Sequence, residues 1–398
     1  MTVSAVGAMS ALRTAGAPRT VRRSGFTVAA DGSYAACLAE TVPPAGGSAG
    51  GGLLAERWTL AGPEPYAVPL PGPQPEEPGT QVLPLTDGRV LIRRRVADRH
   101  DLALLYPTGP DTGELPVGSL VGADVRLLPP APGGAAYALA YDEDGDRTGV
   151  WRVHRTSEGV PEPVMAVPGR CTGGVWLDRA GRLLAVDSEQ DGRTKAVAAD
   201  LHTGRTSPLL EITEDSDDRL LLAEPDSGLL LLRSDATGEA RLGWGVLGSR
   251  RPVRFPDALR VPGVLLTPVA AQPGQILMPE ASVVALRAEV PGGAESLALW
   301  RPGERRLHWR ASPPGWLGAA GMWLPGDELR LPYADEQCPA GLAAYEPPAG
   351  WPEPGGSAGG AGVVARALPA LPARPALPAL PARREWCVLP LQQAPLAG

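Results

Sequence analysis

The chain has 398 residues, of which 43% are apolar and 5% aromatic, and its formal net charge at pH 7 is -7. This length allows two or three average domains or one large repeat fold, and the apolar fraction is sufficient for a buried core. A modestly acidic chain lacks the clustered positive charge that general binding to nucleic acid requires, so we expect no nucleic-acid partner.

The first 23 residues form the first predicted segment. They have no continuous apolar run, and their arginines follow the weakly apolar stretch, which is the reverse of a signal peptide. We interpret residues 1–23 as a disordered tail. No later stretch approaches the ~18 apolar residues of a membrane span, so we expect no membrane partner and a cytoplasmic location.

The four cysteines bear on the compartment. Cys37, Cys171, Cys338 and Cys387 are far apart and form no C-x-x-C pair. This spacing argues against a zinc site and against a disulfide framework. We therefore expect buried free thiols in a reducing compartment, and no metal or other cofactor.

From residue 24 onwards, short apolar runs alternate with turns rich in Gly, Asp and Pro, a pattern typical of strands. Hairpin turns place a residue at positive φ, which favours glycine. Glycines between paired apolar runs recur at intervals of 46 to 56 residues, at Gly32, Gly88, Gly134, Gly181, Gly228, Gly274 and Gly326. The chain is therefore predicted to contain seven units of about 46 residues.

A second landmark supports the same repeat. The predicted third strand of each unit carries Trp58, Tyr106, Trp151, Ala198, Trp244, Trp300 or Tyr345, at intervals of 45 to 56 residues. Four-stranded units of this length are typical of β-propellers. We predict an all-β, seven-bladed β-propeller of four-stranded antiparallel blades over residues 24–391. The expected blades are 24–73, 80–121, 122–168, 169–212, 213–257, 258–311 and 313–391.

The seventh blade is interrupted by a Gly/Pro/Ala-rich insert at residues 348–383. Prolines donate no backbone hydrogen bonds, so we expect polyproline II or disorder there. A linker is the favoured interpretation, and a docking peptide with a P-x-x-P match at Pro369 to Pro372 is the alternative. The following EWCVLPLQQ segment is predicted to supply the fourth strand of the last blade.

Two motifs that could indicate catalysis lack the context they need. G-x-S-x-G occurs around Ser48 and Ser357, both times inside a glycine-rich loop with no helix after it, so neither serine is expected to be a nucleophile. The histidines fall at different positions of the repeat and are not expected to form a triad or a metal site: His100, His154, His202 and His308.

The acidic segment YDEDGDRTG places Asp142, Asp144 and Asp146 around a glycine. Alternating carboxylates could bind Ca²⁺, but His154 stands where an EF-hand loop has its glutamate. The equivalent place in the next unit has Asp191 before a glycine. We favour a hairpin turn at both places, with a cation site at the first as the alternative.

Two units, residues 137–167 and 182–212, resemble blades of the propeller in prolyl-oligopeptidase-type serine peptidases and in TolB-like and WD40-like proteins. The shared features are an apolar strand, a D-x-x-G-type turn, a second strand ending in D-x-x-T-G or its like, and a fourth strand with Pro and Leu. The resemblance implies a propeller over roughly residues 24–391. In that peptidase family a following α/β-hydrolase domain carries the catalytic residues. This sequence ends where that domain would begin, so we expect no catalytic residue here.

We expect a non-catalytic binding or scaffold propeller with a protein partner. One face should be formed by the loops that join second to third strands and one blade to the next, including the acidic run 211–218, which could attract a basic partner. The candidate binding residues on this face are Arg99, His100, Asp144, Asp146, Arg147, Asp191 and Arg193. The alternatives are the substrate-selecting propeller of a peptidase whose hydrolase domain is separate, and a cation-dependent lactonase or lyase.

Overall fold

A computed structural model describes residues 21–346, apart from residues 41–51, 63, 110, 156–158, 276–277, 319–320 and 325–327. Residues 1–20 and 347–398 lie outside the described part, so the tail up to residue 20, the insert and the returning fourth strand stay predictions. Arg23, which was assigned to the tail, begins the first strand instead, where it pairs with Glu56. The helices described are two three-residue 3-10 turns, Asp257–Leu259 and Pro279–Ala281, and neither could cross a bilayer.

The described strands form seven antiparallel sheets in chain order, which confirms the seven-bladed propeller. Blade 1 contains β1 (Arg23–Val28), β2 (Tyr34–Glu40), β3 (Leu53–Thr59) and β4 (Tyr66–Leu70). Blade 2 contains β5 (Gln81–Pro84), β6 (Val90–Val96), β7 (Arg99–Pro107) and β8 (Thr112–Val121). Blade 3 contains β9 (Asp124–Leu127), β10 (Ala136–Asp142), β11 (Arg147–His154) and β12 (Glu162–Pro168).

The remaining four blades follow the same order. Blade 4 contains β13 (Arg170–Trp176), β14 (Leu183–Gln190), β15 (Arg193–Asp200) and β16 (Arg205–Leu210). Blade 5 contains β17 (Asp218–Glu224), β18 (Leu229–Ser234) and β19 (Arg241–Val246). Blade 6 contains β20 (Leu265–Ala271), β21 (Val284–Glu289), β22 (Ser296–Trp300) and β23 (His308–Ala311). Blade 7 contains β24 (Met322–Leu324), β25 (Glu328–Tyr333) and β26 (Gly341–Tyr345).

Blade 5 departs from the four-stranded pattern. In place of a fourth strand, Arg254 makes one antiparallel bridge to Trp244, with both N–O distances at 2.9 Å. Pro252 and Pro256 flank this bridge. Since proline donates no ladder hydrogen bond, pairing cannot extend in either direction.

The repeated glycines of the first hairpin adopt the predicted conformation. Their φ angles lie between +66° and +84° at Gly32, Gly88, Gly134, Gly181, Gly228 and Gly274. Gly326 lies outside the described residues. This left-handed backbone turns each first strand back into the second strand of its blade.

The core lies between neighbouring blades. Leu220 and Leu232 of blade 5 pack with Ala185 and Ala196 of blade 4 in one of seven apolar clusters found among the described residues. Each sheet has apolar side chains on its faces, and stacking against the next blade removes them from water. The third-strand landmarks Trp58, Trp244 and Trp300 are at most 3% exposed, whereas Tyr106 is 37% exposed.

The first and last blades meet through side chains. Phe26 and Trp58 of blade 1 share an apolar cluster with Met322, Ala334 and Leu342 of blade 7. The two blades form separate sheets, and no strand pair joins them among the described residues. The contact between blades 1 and 7, called the seam below, therefore depends on apolar packing.

Candidate functional site

The structure places most of the predicted binding residues on exposed turns of one face. Arg99 begins β7, and its Nε lies 2.9 Å from Asp101 Oδ1. Asp144 and Asp146 lie in the turn after β10, and Arg147 follows them. Because they come from loops that join second to third strands, these residues share the face around the channel, which is called the mouth face below.

His100 lies inside the protein. It is 4% exposed, and its Nδ1 is 2.9 Å from Arg93 Nη1. Burial and the positive charges of Arg93 and Arg95 lower the pKa of His100, so the ring is neutral at pH 7. A neutral ring can accept the hydrogen bond from Arg93. We therefore assign His100 to the packing of blade 2 and leave it out of the binding surface.

The carboxylates at the turn after β10 accept hydrogen bonds from residues at the two ends of that turn. Asp142 Oδ2 accepts a hydrogen bond from Arg147 Nε at 3.3 Å, and Asp146 Oδ1 accepts one from Tyr141 Oη at 3.0 Å. Asp146 has a φ of 40°. The geometry favours the hairpin interpretation, and the described residues contain no group of three or more His, Cys, Asp or Glu side chains that could hold a metal ion.

The matching turn in blade 4 has the same character. Asp191 and Gly192 have φ angles of 50° and 74°, two consecutive left-handed residues between β14 and β15. This is the pattern of a two-residue hairpin. The side chains of Asp191 and Arg193 are exposed on the mouth face.

A group of charges outside the predicted binding residues lies deeper in the mouth. Asp124 begins β9, and its Oδ2 lies 2.8 Å from Arg126 Nη2 and 3.3 Å from Arg170 Nη2. Burial alone would raise the pKa of Asp124, but hydrogen bonds from Arg126 and Arg170 leave it below its ordinary value. One carboxylate therefore lies between two guanidinium groups of neighbouring blades.

The group continues into blade 5. Thr172 lies two residues after Arg170 on β13, so both side chains leave the strand on the same side. Arg219 of β17 donates from Nη1 to Thr172 Oγ1 at 3.4 Å and from Nη2 to Thr194 Oγ1 at 2.9 Å. The row of polar side chains on the first strands of blades 3 to 5 is called the arginine row below: Asp124, Arg126, Arg170, Thr172 and Arg219.

The first strands bring this row to the channel. First strands of neighbouring blades contact one another, as β13 contacts β17, and so they surround the axis of the propeller. The repeat contained a signal for the row, because Asp124 and Arg170 are 46 residues apart and Thr172 and Arg219 are 47 apart. Polar residues one repeat apart at the start of first strands are brought together by the fold.

A buried cluster fixes the connection between blades 4 and 5. The side chain of Asp218 is fully buried and accepts hydrogen bonds from Lys195 Nζ at 3.0 Å, Ser234 Oγ at 2.6 Å and Ile212 N at 2.9 Å. Lys195, the one lysine of the chain, also donates to the carbonyls of Thr213 and Ser216. These bonds hold the acidic run 211–218 in place.

Asp187 is a second buried carboxylate behind the arginine row. It is 5% exposed, and its Oδ1 accepts a hydrogen bond from Leu220 N at 3.0 Å. Burial raises the pKa of Asp187 to about 6, against that hydrogen bond and the charge of Arg219. A Cβ on Gly173 would lie 3.0 Å from Asp187 Oδ2, so the glycine leaves room for the carboxylate.

Exposed carboxylates lie along the mouth at blades 2 to 4, where they outnumber the exposed arginines Arg99, Arg147 and Arg193. They lie in or beside the loops of blades 2 to 4 and the connections on either side of these blades. The acidic rim comprises Glu77, Asp98, Glu143, Asp144, Glu189, Asp191, Glu214 and Asp215. The mouth face thus has an excess of negative charge at its edge along blades 2 to 4 and guanidinium groups near the channel.

Comparison with known proteins shows similarity at the level of the fold. No family model matches the sequence, and no curated protein matches it. The propeller domain of the Trilobed protease from Pyrococcus furiosus is similar at 11% identity and a TM-score of 0.51, over 82% of this chain and 96% of that one.

Puromycin-hydrolysing peptidases are similar to the same extent. A puromycin hydrolase shares 17% identity at a TM-score of 0.50, over 83% of this chain and 52% of its own. A Mycobacterium tuberculosis puromycin-hydrolyzing peptidase shares 14% identity at a TM-score of 0.50, over 82% and 52%. This chain spans about half the length of these peptidases. The resemblance to peptidase propellers is confirmed at the level of fold: the chain is a seven-bladed β-propeller of that architecture.

Proposed function

We propose that this propeller is a non-catalytic binding or scaffold protein that captures a protein partner over its mouth face. The observation that best supports this function is the arginine row. Arg126 and Arg170 keep 42% and 50% of their side chains exposed although both contact Asp124. Planar guanidinium groups suit recognition of carboxylates on a partner.

The acidic rim supplies a second element of recognition. Its carboxylates would favour a partner that is basic around a central acidic group. Complementary charge of this kind raises the association rate and selects among partners, and salt screens it. We infer a partner whose basic surface meets the rim while a carboxylate reaches the arginine row.

We propose that this interaction takes place in the cytoplasm. Cys37, Cys171 and Cys338 are free thiols, and burial is the main cause that raises the pKa of Cys171 to about 11. The buried free thiols Cys37 and Cys171 fit a reducing compartment, whereas Cys338 is only half-buried. Cell fractionation followed by immunodetection tests the location, and recovery outside the cytoplasm would contradict it.

The test is affinity capture with a variant of the arginine row. The tagged full chain and its Arg126→Gln/Arg170→Gln variant are used as bait in native cytoplasm, and the bound proteins are identified by mass spectrometry. We expect the variant to lose at least tenfold of its principal partner, because the central charge contacts are removed. Arg205→Gln, an exposed change after the third-to-fourth-strand turn of blade 4, is the control and should retain the partner.

Thermal unfolding of each bait shows that it is folded. Equal recovery of the same partners by the wild type and the double variant would exclude the arginine row as the binding surface. A partner that binds equally at low and high salt would contradict the charge-based recognition.

A second candidate function is a substrate-selecting propeller that works with a separate serine peptidase. It is favoured by the alignment over 96% of a protease propeller domain. In this case the captured partner carries an active serine and reacts with a fluorophosphonate probe. Capture of a partner that does not react with this probe would favour the scaffold function.

A further inference from the structure

A cleft on the mouth face between blades 5 and 6 is separate from the arginine row. Its volume is about 500 Å³, within the usual range of small-molecule sites. Arg233 of β18 and the start of β19 form one wall. Residues 259–266, which connect blade 5 to blade 6 and begin β20, form the other.

Two of the arginines that line the cleft are neutralised by carboxylates. Arg260 Nε lies 2.7 Å from Glu239 Oε1, and Arg241 Nη2 lies 3.1 Å from Asp257 Oδ1. Each of these two charges therefore has a counterion, although exposed ion pairs of this kind are weak. A ligand in this cleft would have to compete with Glu239 and Asp257 for these two arginines.

Arg233 differs from both. Its Nη2 donates to the carbonyl of Leu266 at 2.8 Å, and no carboxylate lies within ion-pair distance among the described residues. Arg233 is partly buried, and burial lowers its pKa because the charged form loses hydration. The cleft thus holds one positive charge without a counterion, which fits a ligand with a single negative charge.

The rest of the lining is largely apolar. Leu242, Leu259 and Leu266 are 3% to 6% exposed and form the base, and Leu265 at the opening is 50% exposed. The lining thus offers apolar surface beside a guanidinium group without a counterion, a combination that suits a ligand with an apolar group and one anionic end. A guanidinium group pairs well with a carboxylate, since several of its N–H groups can donate to the two oxygens.

We propose that the cleft between blades 5 and 6 binds a terminal carboxylate joined to an apolar group, with Arg233 as the anchor. Two sources share this chemistry: the C-terminus of a peptide that ends in an apolar residue, and a small aliphatic acid. The site shares no residue with the arginine row. If the cleft binds no carboxylate, the proposed partner binding through the arginine row is unaffected.

Isothermal titration of the full chain with three probes tests the proposal. N-acetyl-leucine represents a peptide C-terminus, octanoate represents an aliphatic acid, and N-acetyl-leucinamide is the uncharged control. We expect at least one acid to bind at least tenfold more tightly than the amide. Tighter binding of N-acetyl-leucine identifies a peptide end as the ligand, and tighter binding of octanoate identifies a small acid.

Variants identify the anchor. Arg233→Gln is expected to weaken acid binding at least tenfold, and Arg205→Gln should leave it unchanged. Because Arg233→Gln also alters the contact with Leu266, Leu265→Asp provides a second test at a half-exposed position. It places a carboxylate at the opening and should abolish acid binding without unfolding the protein. Absence of binding by both acids, equal binding of the amide, or wild-type affinity in both folded variants would overturn the proposal.

Discussion

At the scale of single residues, the pKa values of two buried carboxylates near the arginine row are shifted in opposite directions. Asp218 has Lys195 as its counterion and several hydrogen bonds, and these lower its pKa against the effect of burial. Asp187 accepts one backbone hydrogen bond, while Arg219 donates to two threonine hydroxyls. Burial therefore prevails at Asp187 and raises its pKa from 3.8 to about 6.

The raised pKa of Asp187 predicts a pH dependence of stability. The folded protein penalises the ionised form, so the contribution of this carboxyl is fully present below pH 4 and is lost as the pH rises through about 6. Asp187→Asn removes the penalty and can still accept from Leu220 N. We expect the variant to be more stable than the wild type at pH 7 by up to about 3 kcal/mol, and by almost nothing at pH 4.

Urea unfolding at pH 4, 5, 6 and 7 measures this difference. Asp144→Asn is the control, because that side chain is exposed. A stability difference that is the same at all four pH values would show that Asp187 carries no burial penalty.

Single residues also show how much of the binding surface could be predicted from the sequence. Arg99 and Asp191 could be placed on the mouth face because the turns follow the repeat. His100 was wrongly placed on this face, because alternation along β7 directs its side chain inward to Arg93. Arg126 and Arg170 were missed because an arginine at the start of a first strand resembles any surface arginine until the blades are assembled.

At the scale of elements, β13 contains a bulge that shapes the channel. Its register with β14 shifts between Thr172 and Val175, at Gly173 and Gly174. The φ angles of the two glycines are +75° and +127°. A bulge bends a strand and increases its twist, and this one lies beside Asp187.

Gly174→Ala should weaken the packing of blade 4 against blade 3 and so lower the stability of the protein. A Cβ at this position would lie 2.5 Å from Leu128 Cδ2, and its φ is unfavourable for alanine. We expect a loss of about 2 kcal/mol in the free energy of unfolding, measured by urea denaturation. Gly204→Ala is matched in having a left-handed φ, but a Cβ there meets no atom within 4 Å, so it should cost only about 1 kcal/mol. Equal losses for the two variants would argue against the steric contact.

Hairpins were more predictable than outer strands. A first hairpin needs a glycine at a fixed place, which the sequence displays in every blade. The fourth strand of blade 5 shrinks to the Arg254 bridge because of Pro252 and Pro256, a local effect that a repeat pattern does not encode.

At the scale of the whole molecule, the seam is where the ring closes. Every other pair of neighbouring blades is joined by a peptide connection as well as by packing. The seam has packing alone among the described residues, through Phe26, Met322 and Leu342. Opening at the seam separates one interface and breaks no strand pair. We therefore expect it to require less free energy than any other large-scale opening of the ring.

Hydrogen exchange followed by mass spectrometry tests this expectation. Amides of β2 and β25, in the two seam blades, should exchange faster than those of β10 and β14, in the middle of the chain. Phe26→Ala should accelerate exchange in blades 1 and 7 and leave blade 4 unchanged, because it removes apolar contacts only at the seam. Uniform exchange over all seven blades would contradict a weak seam.

The fold could be predicted at this scale and the binding surface only in outline. Seven repeats define the ring, since each blade needs a neighbour on both sides to bury its faces. The contacts between charged side chains depend on how closely the first strands of neighbouring blades approach one another. Arg170 and Asp124 become neighbours only after the ring has formed.

The position of Lys195 has a practical consequence for mapping contacts of this protein. Its ammonium group is already bonded to Asp218 and to two carbonyls, and it is the one side-chain amine of the chain. Amine-directed cross-linkers therefore have almost nothing to attach to on the mouth face. The exposed carboxylates of the mouth face can react instead, so its contacts would be mapped with carbodiimide or hydrazide cross-linkers.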